Sequence, residues 1–216
     1  MAIIFNNMTP IIAPMRVSGV DFSHPGATVF RGLTLSIRPS AVTAVVGSNG
    51  CGKSTLLGLL AGVLSPDAGE VETGAGEVAL AVQRSAVTDA FPITTFEAVM
   101  MGRWRRLGLL RRPKPLDRAI VEHWLAGLGL TGLRHRTLGE LSGGQRQRVL
   151  LAQVFVQDAP LVLLDEPTTG LDSESAAIVV EHLRHLADAG TTVVVATHDA
   201  TVVSAADHRV DLDTAR

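Results

Sequence analysis

The segment Gly47-Ser48-Asn49-Gly50-Cys51-Gly52-Lys53-Ser54 fits the pattern G-x-x-x-x-G-K-[ST]. It sits between an apolar run ending at Val46 and a helical pattern starting near Lys53. Chemistry follows from that order of residue types. The glycines permit backbone angles that turn successive N–H groups onto phosphate oxygens, the helix N-terminus adds its dipole, and Lys53 supplies a mobile cation. The Ser54 hydroxyl suits a Mg2+ ion, with Thr55 next to it in the first helical turn. Cys51 is read as a small residue tolerated in the loop, without a redox role.

Leu161-Val162-Leu163-Leu164-Asp165-Glu166 ends an apolar strand in two adjacent carboxylates. Open parallel sheets gather ligands outside the carboxyl ends of their strands, so Asp165 is expected to face the metal and Glu166 to polarise an attacking water as general base. Alone, such a pair is more often a helix cap or a surface turn; beside a phosphate-binding loop the catalytic role prevails. His198 closes the run Thr191–Thr197 and reaches the same sheet edge if the three strands are parallel, which puts an imidazole near the γ-phosphate or the water. A second glycine-rich stretch, Leu141-Ser142-Gly143-Gly144-Gln145, precedes a helical pattern with Val149, Ala152 and Val156 on one face. Two interpretations stay open for it: an anion site at a helix N-terminus, or an ordinary serine N-cap followed by flexible glycines.

The elements that must carry these residues are legible from periodicity. Leu33–Arg38 alternates apolar and polar residues and is punctuated by Pro39-Ser40, as in a strand with one wet face, so an antiparallel N-terminal sheet is expected. Ala41–Val46, Leu161–Leu164 and Thr191–Ala196 are continuously apolar, as strands covered on both faces would be. Helical patterns at Lys53–Leu60, Gln145–Val156 and Glu174–Leu186 alternate with them, which makes the fold class α/β with a parallel sheet. Between Ala86 and Glu140 the β-rich pattern stops, and Ala119–Leu128 reads as helix, the mark of an inserted helical subdomain.

Bulk properties narrow the function classes. A chain of 216 residues with 46% apolar content can bury one core and does not demand two domains. The formal charge of −2 creates no overall field toward nucleic acid or anionic lipid, so no nucleic-acid partner is expected. One cysteine excludes an internal disulfide framework. Met1–Met15 has no basic residue and is broken by Pro10 and Pro14, a poor match to a secretory signal, and every apolar run falls short of the roughly 20 residues of a membrane-spanning helix. Of the seven histidines only His182 and His185 have helical spacing, and that pair is read as a solvated helix face. The basic run Arg103, Arg105, Arg106, Arg111, Arg112 and Lys114 is likewise read as a wetted surface, in reach of anionic headgroups.

The order Gly47–Ser54, Gln83, Leu141–Gln145, Leu161–Glu166, Gly170-Leu171-Asp172 and His198 closely resembles the nucleotide-binding domain of ABC transporters across nearly the whole chain. That resemblance implies a P-loop NTPase (RecA-like) core with an antiparallel N-terminal β-subdomain and an inserted helical subdomain. Residues 1–85 and 152–216 would form the core and 86–151 the helical part of one domain, 1–216. It implies ATP and Mg2+, bound by Gly47–Thr55 and by Ser54, Gln83 and Asp165. It further implies a head-to-tail homodimer in which each ATP lies between one chain's P-loop and the other's Ser142-Gly143-Gly144-Gln145. By the same resemblance Gln83, Glu166 and His198 support hydrolysis, Gly170-Leu171-Asp172 communicates across the dimer, and Phe22 stacks on adenine in a chain that has no tyrosine.

Within the family, Phe91–Arg103 is similar to the segment after the glutamine in manganese and zinc importer ATPases. The resemblance therefore implies a peripheral subunit on the cytoplasmic face of the cell membrane, driving a separate permease that is fed by a solute-binding protein. Departures from the family pattern are Val82 where proline is common and Ala152-Gln153-Val154 in place of Ala-Arg-Ala. Competing functions are a soluble ABC ATPase in DNA repair or translation and a non-hydrolysing regulatory subunit. The absence of a heptad-bearing insertion and of a second P-loop weighs against the first, and Glu166 with His198 against the second. No N-K-x-D guanine motif occurs.

Overall fold

The computed structural model describes residues 13–74, 76–81, 92–107 and 112–215. Along the chain the first elements are β1 (Met15–His24), β2 (Ala27–Ile37), β3 (Val42–Val46), α1 (Lys53–Leu60), β4 (Ala68–Glu72) and β5 (Val78–Ala81). A helical stretch follows, with α2 (Thr95–Met101), α3 (Trp104–Leu107), α4 (Pro115–Gly127) and α5 (Gly143–Phe155). The chain then alternates through β6 (Leu161–Asp165), α6 (Ser173–Asp188), β7 (Thr192–Ala196), α7 (Ala200–Ala205) and β8 (His208–Asp211). Two sheets result: an antiparallel one in the order β2-β1-β4 and a parallel one in the order β5-β6-β7-β3-β8.

The continuously apolar strands are explained by what covers them. Because side chains alternate along a strand, Leu161, Leu163, Val194 and Ala196 face α1 and the antiparallel sheet, in one core with Phe30, Leu33 and Leu56. Val162, Leu164, Val193 and Val195 face the opposite way, into a core with Trp124, Val149, Phe155 and Leu183. Both faces are dry, and the polar residues they admit in β3 and β7 are the small, β-branched Thr43 and Thr192. Truncating one such side chain, as in Leu163→Ala, costs about 2–5 kcal/mol.

The helical stretch is held by polar contacts that two surface assignments overlooked. Arg103 is not a wetted surface residue. It is buried, with Nε and Nη2 donating to Asp117 Oδ1 at 3.1 and 3.0 Å and Nη1 donating to the Val156 carbonyl at 2.8 Å, which ties α2, α4 and the end of α5 together. Arg106 donates to the Asp158 carboxylate at 2.9 Å and to its carbonyl at 2.6 Å. Arg105, Arg112 and Lys114 are exposed, and Arg111 lies outside the described residues. The reason is tertiary: the turn after α5 presents carbonyls and a carboxylate that only long cations reach. Nor is the His182–His185 pair wholly solvated. His182 Nε2 sits 3.0 Å from the Gly127 carbonyl and its ring packs edge-on to Trp124, while His185 is exposed.

Candidate functional site

The parallel register brings the carboxyl ends of four strands level. Val45 and Asp165 both pair with Ala196, and Val46 pairs with Asp211. The residues that follow, Gly47, Glu166, Thr197-His198 and Leu212-Asp213, therefore emerge along one edge, where an open α/β sheet binds its ligands. Between β3 and α1 the loop needs its glycines for steric reasons. A Cβ on Gly47 (φ 149°) would lie 2.6 Å from Cys51 Sγ, and one on Gly52 (φ 104°), the N-cap of α1, would lie 2.6 Å from both Val29 and Phe30. Cys51 is buried beneath the loop in the α1 core, as its small size suggested.

Lys53 Nζ donates to the Gly47 and Ser48 carbonyls at 2.8 and 3.1 Å, which holds the ammonium across the loop mouth. Ser54 Oγ donates to Asp165 Oδ2 at 2.6 Å. A hydroxyl and a carboxylate converging beside a lysine form an all-oxygen set that fits Mg2+ rather than a softer metal. A cavity of about 330 Å3 opens here, lined by His24, Val29, Asn49, Gly50, Gly52, Lys53, Ser54, Thr55, Asp165 and Glu166.

Glu166 is buried and takes a left-handed backbone (φ 51°), with its N–H donating to the Ala196 carbonyl at 2.8 Å. Such a conformation in a residue other than glycine is strained and persists where surrounding contacts over-determine it. Those contacts are visible: His198 Nδ1 lies 2.7 Å from Glu166 Oε1, and Thr197 Oγ1 donates to Oε2 at 3.4 Å. Asp199 braces the same turn, since its N–H donates to Thr197 Oγ1 at 3.0 Å and its Oδ2 accepts from Thr168 Oγ1 at 2.8 Å. The Thr168 hydrogen bond, outweighing the opposing burial, holds the Asp199 carboxyl below its ordinary value.

Two residues at this edge escaped the sequence reading. Phe22 was the expected adenine partner, but its ring is 6% exposed in the α1 core and lines no part of the cavity. His24 does line it, edge-on to Phe22 with centroids 5.0 Å apart and Nε2 3.3 Å from Thr55 Oγ1. The only signal for it was a flat π-ring at a strand end before Pro25-Gly26. Asp213, just past β8, accepts from Ser48 N and Ser48 Oγ, both at 2.8 Å, and so anchors the loop entry from the sheet's edge strand. Gln83 lies outside the described residues.

Ser142–Gln145 stand apart from the cavity lining. Ser142 caps α5: its Oγ accepts from Gln145 N at 3.3 Å, and Gln145 Oε1 accepts from Ser142 N at 3.0 Å, a reciprocal capping box. Gly143 and Gly144 then begin the helix, and their amides are among those an α-helix cannot pair from within. Both interpretations of the stretch are thus compatible, because the serine cap leaves the glycine amides for an anion. Among the described residues no helix is long and apolar enough to cross a membrane.

The profile of the ABC transporter family matches residues 30–169. A manganese transport system ATP-binding protein of Synechocystis sp. is 36% identical over 208 residues, covering 91% of this chain and 80% of that protein. A zinc transport system ATP-binding protein of Treponema pallidum is 35% identical, covering 88% of this chain and 74% of that protein. Among solved structures, an inward-facing putative metal-chelate type ABC transporter superposes with a TM-score of 0.79 at 33% identity, covering 91% of this chain and 78% of that one.

Proposed function

The chain belongs to the ABC transporter family as an ATP-binding and hydrolysing subunit, and from that premise we propose that it powers import of a divalent transition metal, manganese or zinc, through a separate permease. The observation that carries the ATPase chemistry is the convergence of Lys53, Ser54, Asp165, Glu166 and His198 on one sheet edge. The metal cargo is supported by the manganese and zinc transport relatives. The working unit in this proposal is a homodimer seated peripherally on the cytoplasmic face of the membrane, supplied indirectly by a solute-binding protein. The chain acts as one domain, with the α2–α5 region facing the permease.

In the proposed mechanism the loop amides of Gly50–Ser54 and Lys53 hold the β- and γ-phosphates, and Lys53 must exchange its bonds to Gly47 and Ser48 for phosphate oxygens. Ser54 and Asp165, with Gln83 as the resemblance implies, would hold a Mg2+ ion, which when bound would supply positive charge to those oxygens. Glu166 takes the proton from the attacking water. His198, with Nδ1–H donating to Glu166, keeps that carboxylate aimed and presents Nε2 outward. The hydroxyl of Ser142 and the amides of Gly143 and Gly144 approach the γ-phosphate from the second chain, because they line no part of their own chain's cavity.

Replacing Glu166 with Gln should lower turnover by about 10²–10⁴-fold, the usual worth of a general base. ATP binding should persist and an ATP-loaded dimer accumulate in size-exclusion chromatography; unchanged turnover removes Glu166 from the role of base. For the cargo, co-purification with a permease and metal uptake in reconstituted vesicles decides, and a partner attached to DNA or ribosomes would overturn the import assignment.

A further inference from the structure

The first turn of α5 leans on the turn that follows Glu166. A Cβ on Gly144 would lie 2.9 Å from the Gly170 carbonyl and 3.5 Å from Leu171 Cδ2, so the two backbones approach as closely as a bare glycine permits. One helical turn on, and on the same face, Gln147 Nε2 donates to the Pro167 carbonyl at 3.2 Å. Pro167 adjoins Glu166, whose left-handed backbone and bond to Ala196 leave it little freedom to shift alone. From there Thr169 N–H donates to the Glu166 carbonyl at 3.2 Å and Leu171 N–H to the Thr168 carbonyl at 3.1 Å, turns that lead into the Asp172 cap of α6. Gln147 is half-buried against this turn.

We propose that Gln147 couples the two ATP sites of the dimer. The inference rests on the head-to-tail reading given above. In that arrangement one chain supplies Glu166 to one ATP and Ser142–Gln145 to the other, so a contact between α5 and the Glu166 turn within one chain joins two different sites. Capture of a γ-phosphate by the N-terminus of α5 moves that helix, and the Gln147 amide carries the movement to the peptide beside Glu166. Gln147 touches neither nucleotide nor water; it is a positioning residue. Only the amide hydrogen matters for this coupling, since the group it serves is a carbonyl, which only accepts.

Steady-state ATPase of the full chain as a function of ATP tests this, with wild type beside Gln147→Met, which keeps length without a donor, and Gln147→Glu, which keeps shape and loses the donor. Wild type should be cooperative, with a Hill coefficient rising toward the number of sites. Both variants should become hyperbolic, the affinity ratio between second and first site falling by about fivefold or more. Binding of a fluorescent ATP analogue to dilute single chains should be unchanged. A merely structural role would lower stability or turnover and leave the Hill coefficient alone, and that outcome overturns the inference while sparing the dimer. A wild-type curve that is already hyperbolic, from chains that stay monomeric with ATP, overturns the dimer and this coupling together.

Discussion

The two glycine-rich turns look alike in sequence and differ in how much of a site each contains. Gly47–Thr55 is complete within its own chain: β3 delivers it, α1 receives it, Asp213 anchors Ser48, and Asp165 meets Ser54 at 2.6 Å. Ser142–Gln145 spends its side chains on capping its own helix and backs onto Gly170, outside the cavity that the first turn lines. A turn with local partners can bind alone, whereas a turn that offers only unpaired helix amides needs something brought to it.

Separating the two turns by mutation gives the largest expected contrast. Lys53→Ala should weaken ATP binding by single chains about tenfold to a hundredfold, the worth of a hydrogen bond from a charged donor. Ser142→Ala should leave that binding unchanged while turnover falls about tenfold, and helix α5 should lose about 1 kcal/mol from the broken cap. Fluorescent-nucleotide titration below the dimerisation range, set beside an ATPase assay, checks both. If Ser142→Ala weakened single-chain binding as much as Lys53→Ala does, the two turns would belong to one chain's site and the comparison would collapse.

The next effect sharpens the nucleobase end of the first turn. His24→Ala should weaken nucleotide binding about fivefold or more, the lower range for loss of base stacking, and His24→Tyr should restore it. Phe22→Leu should leave binding unaltered and lower the melting temperature, because that ring fills the α1 core. The reverse pattern would return the stacking role to Phe22.

The placement of these two rings shows where sequence reasoning ran short. Strand, loop and helix around Gly47–Thr55, and the carboxylates at 165 and 166, were legible because each is a local pattern whose neighbours confirm it. The Phe22 assignment came from the family resemblance, and strict alternation puts Phe22 and His24 on one face of β1. Both rings do lie on the α1 side, 5.0 Å apart, but Phe22 is the inner of the two and is covered by the α1 core, whereas His24 at the strand end reaches Thr55 and the cavity. No local pattern tells which of two rings on one face is the outer one. Arg103 misled in another way: amid other cations it looked solvated, yet its partners Asp117 and Val156 arrive only when α4 and α5 have packed.

Asp213 is the extreme of such long-range placement and gives a smaller prediction. Its carboxylate replaces solvent at Ser48 N and Oγ across the β3–β8 pairing, so Asp213→Ala should raise the KM for ATP by roughly two- to tenfold, the two exposed hydrogen bonds together being worth about 0.5–1.5 kcal/mol. kcat should hold, because Glu166 and His198 lie at other strand ends. Asp213→Asn, which keeps an acceptor for Ser48 N–H, should recover most of the loss. A fall in kcat with KM unchanged would place Asp213 in the chemistry rather than in the loop's anchorage.

The smallest effect concerns the helical region that carries the second turn. His123, on α4, is held below the ordinary imidazole value first by burial and then by the neighbouring His182, which packs across Trp124 from α6. A histidine whose folded value is depressed binds fewer protons when folded than when unfolded. Stability is then fully present above the unfolded value of about 6.5 and is lost as pH falls through the window between the two. Melting temperature should therefore decline from pH 7.5 toward pH 5, and His123→Gln should flatten that slope. Glu97 and Glu140 lie in the same region but are depressed by their cap hydrogen bonds to Thr94 and Thr137, so their contribution is lost only further into acid, below the ordinary carboxylate range. A mild-acid slope that survives His123→Gln would move its origin away from the α4–α6 contact, and a slope confined to pH below the ordinary carboxylate range would trace it to the Glu97 and Glu140 caps.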